Sequence, residues 1–216
     1  MLFSVLIANY NGEKYLRECL NSVVSQSYSN WECIIVDDGS IDHSKNIIEE
    51  FVSDNRIKVF YRSKNKGATY TKKECIEYAQ GDICGYLDSD DMLAPYAIEA
   101  MIQAHEDKNV SIVSSRYYKI NENGDIIGSN RLLKLPREGG GYLEGRDYTP
   151  EHFVAFKKKA YTQTKGLDIN HKIGDDQELY LLLEEVGRWV VLDKYLYYYR
   201  VHSQSISKTK TFECYY

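Results

Sequence analysis

The segment FSVLIANYNGEKYLRECLNSVVSQSYSNWECIIVDDGS, residues 3–40, contains three elements in a fixed order. Its opening apolar run, FSVLIA, predicts a buried strand that ends where NYNGE begins. From Glu13 onward the apolar residues recur at helical spacing, which predicts an amphipathic helix over residues 13–25. CIIV, residues 33–36, predicts a second buried strand that ends in DDGS. Strand, helix and strand in this order are typical of a parallel sheet covered by helices.

The same alternation continues through the first half of the chain. Apolar runs predict further strands at residues 57–61, 83–87 and 111–115, with helices between them. We therefore predict an α/β fold with a mostly parallel central sheet and helices on both faces. Ligands of such sheets bind at the carboxyl ends of the strands.

Beyond the fifth strand the regular alternation is lost. YYKINENGDIIG is typical of a hairpin turning at Asn123-Gly124, and the Gly-rich, charged residues 129–150 predict a mobile loop. HFVAFKKKAY predicts a strand leading into a turn, residues 177–186 predict a helix, and WVVL predicts a strand. No internal repeat and no linker separates two cores, so we predict a single domain.

Composition excludes several classes of protein. The chain has 216 residues, 43% of them hydrophobic, and a net charge of −5, which indicates a globular protein and argues against a nucleic-acid partner. No apolar run approaches the roughly 20 residues that cross a bilayer, and the first residues lack the basic start of a signal peptide. Five cysteines without a CxxC pair predict reduced thiols. We expect a cytoplasmic protein, with peripheral association at the inner face of a membrane still open.

Acidic residues follow the fourth predicted strand. Asp88, Asp90 and Asp91 lie within four residues, and such like charges repel unless a cation lies among them. Mg²⁺ and Mn²⁺ prefer oxygen ligands and bind substrate phosphates with few protein carboxylates. The alternative is a solvated acidic turn or a helix cap before Pro95. The position after a buried strand favours a metal–diphosphate site.

A second acidic pair, Asp37 and Asp38, follows another buried strand. An acidic residue there can accept a hydrogen bond from a base or a ribose, as in nucleotide sites of open α/β sheets. The alternative is an Asx-turn that shapes the loop. The chain has no P-loop and no GxGxxG motif, which disfavours kinase-like and dinucleotide-dependent enzymes.

Taken together, these motifs resemble the family 2 glycosyltransferases of the GT-A fold. The nucleotide-binding segment quoted first is followed by NKGATYTKKECIEYAQGDICGYLDSDDMLAP, which resembles the segment ending in the family's DxD motif. GLDINHKIGDDQELYLLL resembles the stretch that carries the catalytic base, and YYRVHSQSIS resembles the closing motif. The resemblance is dense from Phe3 to about Val113 and returns from about Phe153 to Ser207.

The resemblance implies a nucleotide-diphospho-sugar transferase-like fold with a small antiparallel acceptor-side extension. It implies a nucleotide-sugar-binding half at residues 1–115 and an acceptor-side half of the same domain at residues 116–216. The activity it implies is an inverting, metal-dependent, single-displacement transfer from a UDP-sugar to a hydroxyl of a saccharide or glycolipid, in polysaccharide biosynthesis. A nucleotidyltransferase-like enzyme and a catalytically silent nucleotide-sugar-binding domain are the alternatives.

Donor-binding roles follow from matching positions. Ala8, Tyr10 and Asp38 would line the base pocket, with Asp38 accepting from a uracil-type N–H. Asp88 would approach the ribose or the metal shell.

Metal and catalytic roles follow in the same way. Asp90 would coordinate Mn²⁺ or Mg²⁺, and His202 would approach the metal or the diphosphate. Asp176 would be the general base, with Asp175 as competitor for the role. One departure stands out: Lys72 and its neighbour, another lysine, occupy positions where the family commonly has Arg-Asn, and the two cations are not equivalent.

Overall fold

The computed structural model describes residues 1–130, 152–170 and 175–203. These residues form helices and strands around one sheet of nine strands. In chain order the elements are β1 (Phe3–Asn9), α1 (Leu16–Val24), β2 (Trp31–Asp37), α2 (Ser44–Glu49), β3 (Ile57–Tyr61), α3 (Ala68–Tyr78), β4 (Ile83–Tyr86), β5 (Met92–Leu93), α4 (Ala97–Ala104), β6 (Val110–Ile120), β7 (Ile126–Ser129), β8 (Val154–Lys157), α5 (Lys158–Tyr161), α6 (Asp175–Glu184) and β9 (Arg188–Arg200).

The first four long strands form the parallel part of the sheet, in the order β3-β2-β1-β4. All seven residues of β2 are buried, as expected for a strand covered on both faces. Asn9 of β1 lies opposite Asp37 of β2, and Leu6 lies opposite Tyr86 of β4. Because these strands run in the same direction, the loops that follow them emerge at one edge of the sheet.

The later strands do not continue the parallel order that the alternation of strands and helices in the sequence suggests. The fifth predicted strand, β6, does not pair with β4, because β8 lies antiparallel between the two. WVVL is part of one long strand, β9, which runs parallel to β6 and also pairs with β5. The residues after β8 form the short helix α5 where the sequence predicts a turn. The predicted hairpin is present as β6 and β7, with Gly124 at a φ of +87°.

Two core layers lie on opposite faces of the sheet, because successive side chains of a strand point to opposite sides. Phe3, Val5 and Ile7 of β1 pack with apolar residues of α1, α2 and α4. Leu6 packs with apolar residues of α3, α5 and α6. The predicted α/β architecture, with helices on both faces, is therefore confirmed.

The first helix begins later than predicted. The sequence predicts a helix over residues 13–25, whereas α1 begins at Leu16. The Gly12 carbonyl accepts the Leu16 N–H at 3.0 Å, and the Asp42 carboxylate accepts the Glu13 N–H at 2.9 Å. This turn ties the loop after β1 to the loop after β2.

Two further expectations concern cysteines and membrane spans. Cys214 and nearly all of the predicted loop at 129–150 lie outside the described residues. Within the described ranges, no helix is both long and apolar enough to span a bilayer. The described cysteines are free and buried: Cys19, Cys33, Cys75 and Cys84.

Candidate active site at the carboxyl edge of the sheet

Asp37 shapes the loop that follows β2. The Asn9 amide donates to its Oδ1 at 2.7 Å, and the Ser40 hydroxyl donates to the same oxygen at 2.6 Å. The Ser40 N–H donates to its Oδ2 at 3.1 Å, a side-chain to backbone bond that reaches one residue further than an Asx-turn does. For Asp37, the loop-shaping alternative therefore holds.

Asp38 fastens the NKG loop to the end of β2. Its carboxylate is 2% exposed and accepts hydrogen bonds from the Arg62 guanidinium at 2.7 Å and from the N–H groups of Lys66 and Gly67, each at 2.9 Å. Arg62 also forms an ion pair with Glu74. A carboxylate has about four acceptor positions. The three donors therefore leave capacity for one more, and the uracil-binding role of Asp38 stays a prediction.

Two further predicted donor residues lie at the end of β1. Ala8 is half-buried within the strand, and Tyr10 follows it with 49% of its surface exposed. An exposed aromatic ring at this edge is available to stack on a base. Both positions are compatible with the predicted base pocket, and their roles stay predictions.

The DSDD loop after β4 is held by the last strand. The Asp88 N–H donates to the Tyr197 hydroxyl at 3.2 Å, and the Arg200 N–H donates to the Asp91 carboxylate at 2.7 Å. The guanidinium of Arg200 is fully buried, donates to the Asp90 carbonyl at 2.9 Å and pairs with Glu18 at 2.7 Å. Strand β9 therefore fixes the acidic loop from more than 100 residues away.

The two residues predicted to hold the metal contact each other. His202 Nε2 lies 2.8 Å from Asp90 Oδ2, and the imidazole packs beside the Tyr15 ring with centroids 5.1 Å apart. The structure brings the predicted pair together across 112 residues of sequence. Their metal-binding role stays a prediction.

A second group of potential ligands lies on the same loop. One ligand atom each of Asp88, Asp91 and His152 lies within 4.8 Å of the others. Asp91 is 1% exposed, and its Oδ2 has no hydrogen bond with the described residues. Burial, followed by the charges of Asp90 and Asp88, raises the pKa of Asp91 well above its usual range. Two carboxylates and an imidazole, crowded with negative charge, fit a divalent cation.

Sequence reasoning missed His152. Its ring stacks on Tyr199 at 4.1 Å and on Tyr197 at 5.7 Å, and it meets the edge of Tyr117 at 4.9 Å. Burial lowers the pKa of His152 to about 4, although the Asp176 charge opposes this shift. The imidazole is therefore neutral at pH 7, the form that binds metals. A lone histidine before an apolar run gives no sequence signal of this, because the aromatic partners lie on distant strands.

Asp176, the predicted base, lies in the first turn of α6. Its Oδ1 is 2.6 Å from the Lys72 ammonium, and its side chain is 46% exposed. The side chain of Asp175, the competitor for the role, lies outside what the structure describes. The Lys72 contact was also missed, because the sequence marks this lysine only as a departure.

Comparison with known proteins identifies the family. The model for “Glycosyl transferase family 2” matches residues 4–169. The chain belongs to this family. Among family 2 glycosyltransferases, GlyG of Streptococcus pneumoniae serotype 4 is 28% identical over 223 residues, covering 97% of this chain and 74% of GlyG.

Other relatives extend well beyond the matched region. Chondroitin synthase of Escherichia coli is 29% identical over 210 residues, which cover 97% of this chain but 30% of that protein. The crystal structure of S. aureus TarS 1–349 in complex with UDP-GlcNAc superposes with a TM-score of 0.82 at 22% identity, covering 97% of this chain and 61% of that one. The chain is thus a glycosyltransferase domain of family 2, and its predicted GT-A fold is confirmed.

Proposed function

We propose that this domain transfers a sugar from a UDP-sugar to a hydroxyl of a saccharide or glycolipid, with inversion at the anomeric carbon. The observation that carries the proposal is the convergence of two acidic regions on one edge of the sheet. Asp88 and Asp91 lie close to His152, and Lys72 contacts both Asp176 and Tyr86, which precedes Asp88 by two residues. The UDP-GlcNAc in the complex of the structural neighbour TarS supports the choice of a uridine donor.

The donor half, residues 1–115, would bind the nucleotide. Tyr10 would stack on the uracil beside Ala8, and Asp38 would use its remaining acceptor position for the uracil N–H. Asp88 would approach the ribose or the metal shell. Residues 116–216 would build the acceptor side, consistent with a product in polysaccharide biosynthesis.

Either of two ligand sets would hold Mn²⁺ or Mg²⁺ at the DSDD loop. The first is Asp88, Asp91 and His152, and the second is Asp90 with His202. A divalent cation bound there supplies Lewis-acid stabilisation of the charge that develops on the leaving diphosphate. The uncompensated Asp91 oxygen favours the first set.

Asp176 would act as the general base. The acceptor oxygen attacks the anomeric carbon, and the bond from this carbon to the diphosphate oxygen breaks with its electron pair leaving on UDP. The hydroxyl proton passes to the Asp176 carboxylate, which is exposed enough to meet an acceptor. No protein nucleophile takes part, so the sugar is transferred in one displacement.

Calorimetric titration of UDP with and without Mn²⁺ tests the donor half of the proposal. We expect UDP binding that requires the metal, and equal binding in both titrations would contradict the metal dependence. UDP release from UDP-Glc, UDP-Gal, UDP-GlcNAc, UDP-GalNAc and UDP-GlcA then tests turnover. Release of pyrophosphate from UTP and a sugar phosphate would instead identify a nucleotidyltransferase, and binding without turnover would identify a silent domain.

A further inference from the structure

The Lys72 side chain is largely removed from water, and its ammonium contacts the proposed base. This side chain is 13% exposed, yet its ammonium lies 2.6 Å from Asp176 Oδ1. The two residues are 104 apart in sequence, on α3 and α6. Removing a lysine from water is costly unless its charge is compensated. The Asp176 carboxylate supplies this compensation, so the Lys72–Asp176 ion pair is more than a contact between two solvated surface charges.

The ammonium is also tied to the strand that carries the DSDD loop. It lies 5.5 Å from the centroid of the Tyr86 ring, and the Tyr86 hydroxyl donates to the Lys72 carbonyl at 3.1 Å. Tyr86 is the last residue of β4 and precedes Asp88 by two positions. Lys72 thus links the acidic loop at the donor side with the helix that bears Asp176.

We propose that Lys72 is a positioning residue that orients the Asp176 carboxylate toward the acceptor hydroxyl. This inference rests on the proposed function and adds a residue to it. The ammonium holds Oδ1, and Oδ2 has no hydrogen bond to any described residue, so Oδ2 faces the acceptor and takes its proton.

Lysine and arginine at position 72 would contact the Asp176 carboxylate in different ways. A lysine ammonium is a compact charge that binds one carboxylate oxygen, whereas an arginine guanidinium grips both oxygens in a fork. The family commonly has an arginine at this position, whose fork would hold the same carboxylate through both oxygens. A lysine here keeps the carboxylate oriented and leaves one oxygen for catalysis.

Lys72→Met tests the role, with Lys73→Met as the matched control on the same helix. Lys73 carries the same charge and has no ion pair with a described residue. For Lys72→Met we expect kcat to fall about 10- to 100-fold, the scale for a misplaced catalytic group. The KM for the UDP-sugar turned over fastest and the calorimetric Kd for UDP with Mn²⁺ should stay within about twofold of the parent values. Lys73→Met should leave kcat, KM and Kd near the parent values.

The same change in an Asp176→Asn background separates positioning from direct donor binding. If Lys72 acts through Asp176, Lys72→Met has no further effect on kcat once the carboxylate is absent. Lys72→Arg keeps a cation beside Asp176 and should retain more of the parent kcat than Lys72→Met. Thermal unfolding of each variant shows whether the fold is kept.

Each outcome bears on one hypothesis. A rise in the Kd for UDP with Mn²⁺ in Lys72→Met, in both backgrounds, would overturn positioning and assign Lys72 to the diphosphate. Unchanged kcat in Lys72→Met, with Asp176→Asn inactive, would overturn the inference while leaving the proposed function intact. Full activity of Asp176→Asn would overturn the proposed base itself.

Discussion

The two halves of the domain build the site in different ways. In the first half, polar residues lie at the ends of neighbouring parallel strands or directly after them, as Asp37 and Asp38 do beside the end of β1. The second half contributes single side chains from an inserted antiparallel strand, a helix and a long last strand, such as His152 and Asp176. The proposed donor site is therefore built from residues close in sequence, whereas the proposed base side depends on contacts that only the tertiary fold creates.

The largest expected effect tests the base side. Asp176→Asn preserves the size of the side chain but cannot accept the proton, so kcat should fall about 10²- to 10⁴-fold. The UDP affinity in the presence of Mn²⁺ should stay unchanged, because the proposed donor contacts lie in residues 1–115. UDP release from the preferred UDP-sugar measures the first quantity, and calorimetry measures the second. Equal losses in UDP affinity and in kcat would show that Asp176 also contributes to UDP binding.

On the donor side, the strongest test removes the cation beside Asp38. Arg62→Met leaves Asp38 and Glu74 without their guanidinium. Breaking a largely buried ion pair from one side should lower the free energy of unfolding by about 2–4 kcal/mol. Urea denaturation measures this loss. Arg17→Met, which breaks an exposed pair with Glu50, is the control and should leave the urea midpoint close to that of the parent.

Substitution of His152 distinguishes between the two proposed metal-ligand sets, because His152 belongs to only one of them. His152→Ala should weaken Mn²⁺ binding about 10- to 100-fold if Asp88, Asp91 and His152 hold the ion. His202→Ala should then have the smaller effect. Electron paramagnetic resonance of free Mn²⁺ measures both, with the exposed His43→Ala as control. The opposite ranking would favour Asp90 and His202.

The smallest expected effect is a change in how the free energy of unfolding depends on pH. His105, at the end of α4, is buried beside β8, and burial lowers its pKa to about 4. A histidine whose folded pKa is below the unfolded value of 6.5 stabilises the fold fully above pH 6.5. That stability is lost as the pH falls from 6.5 through about 4.

The test compares urea denaturation at pH 7 and pH 5. His105→Gln should reduce the loss of stability between these values by about 1–2 kcal/mol relative to the parent. His43→Gln, at an exposed position, should leave the pH dependence unchanged. If His105→Gln loses as much stability between pH 7 and pH 5 as the parent, another group is responsible for the loss.

The sequence alone predicts the donor half well because its signals are periodic and local. Buried runs and helical stripes predicted the strands and helices around Asp38 and the DSDD loop, and the strands that precede these residues pair in the order β2-β1-β4. It did not predict that β8 lies between β4 and β6, because strand pairing depends on contacts far apart in sequence. His152, Arg62 and the Lys72 contact were missed for the same reason. Each acquires its role from partners on other elements.

The anchoring of the DSDD loop by β9 has a consequence for synthesis. Asp88 and Asp91 leave the ribosome more than 100 residues before Tyr197 and Arg200, whose hydroxyl and backbone N–H hold them. Until then, in a nascent chain, the Asp88 N–H lacks its hydroxyl acceptor and the Asp91 carboxylate lacks its N–H donor. Because translation proceeds from the amino terminus, donor affinity should emerge only near completion of this domain, as a late and abrupt event.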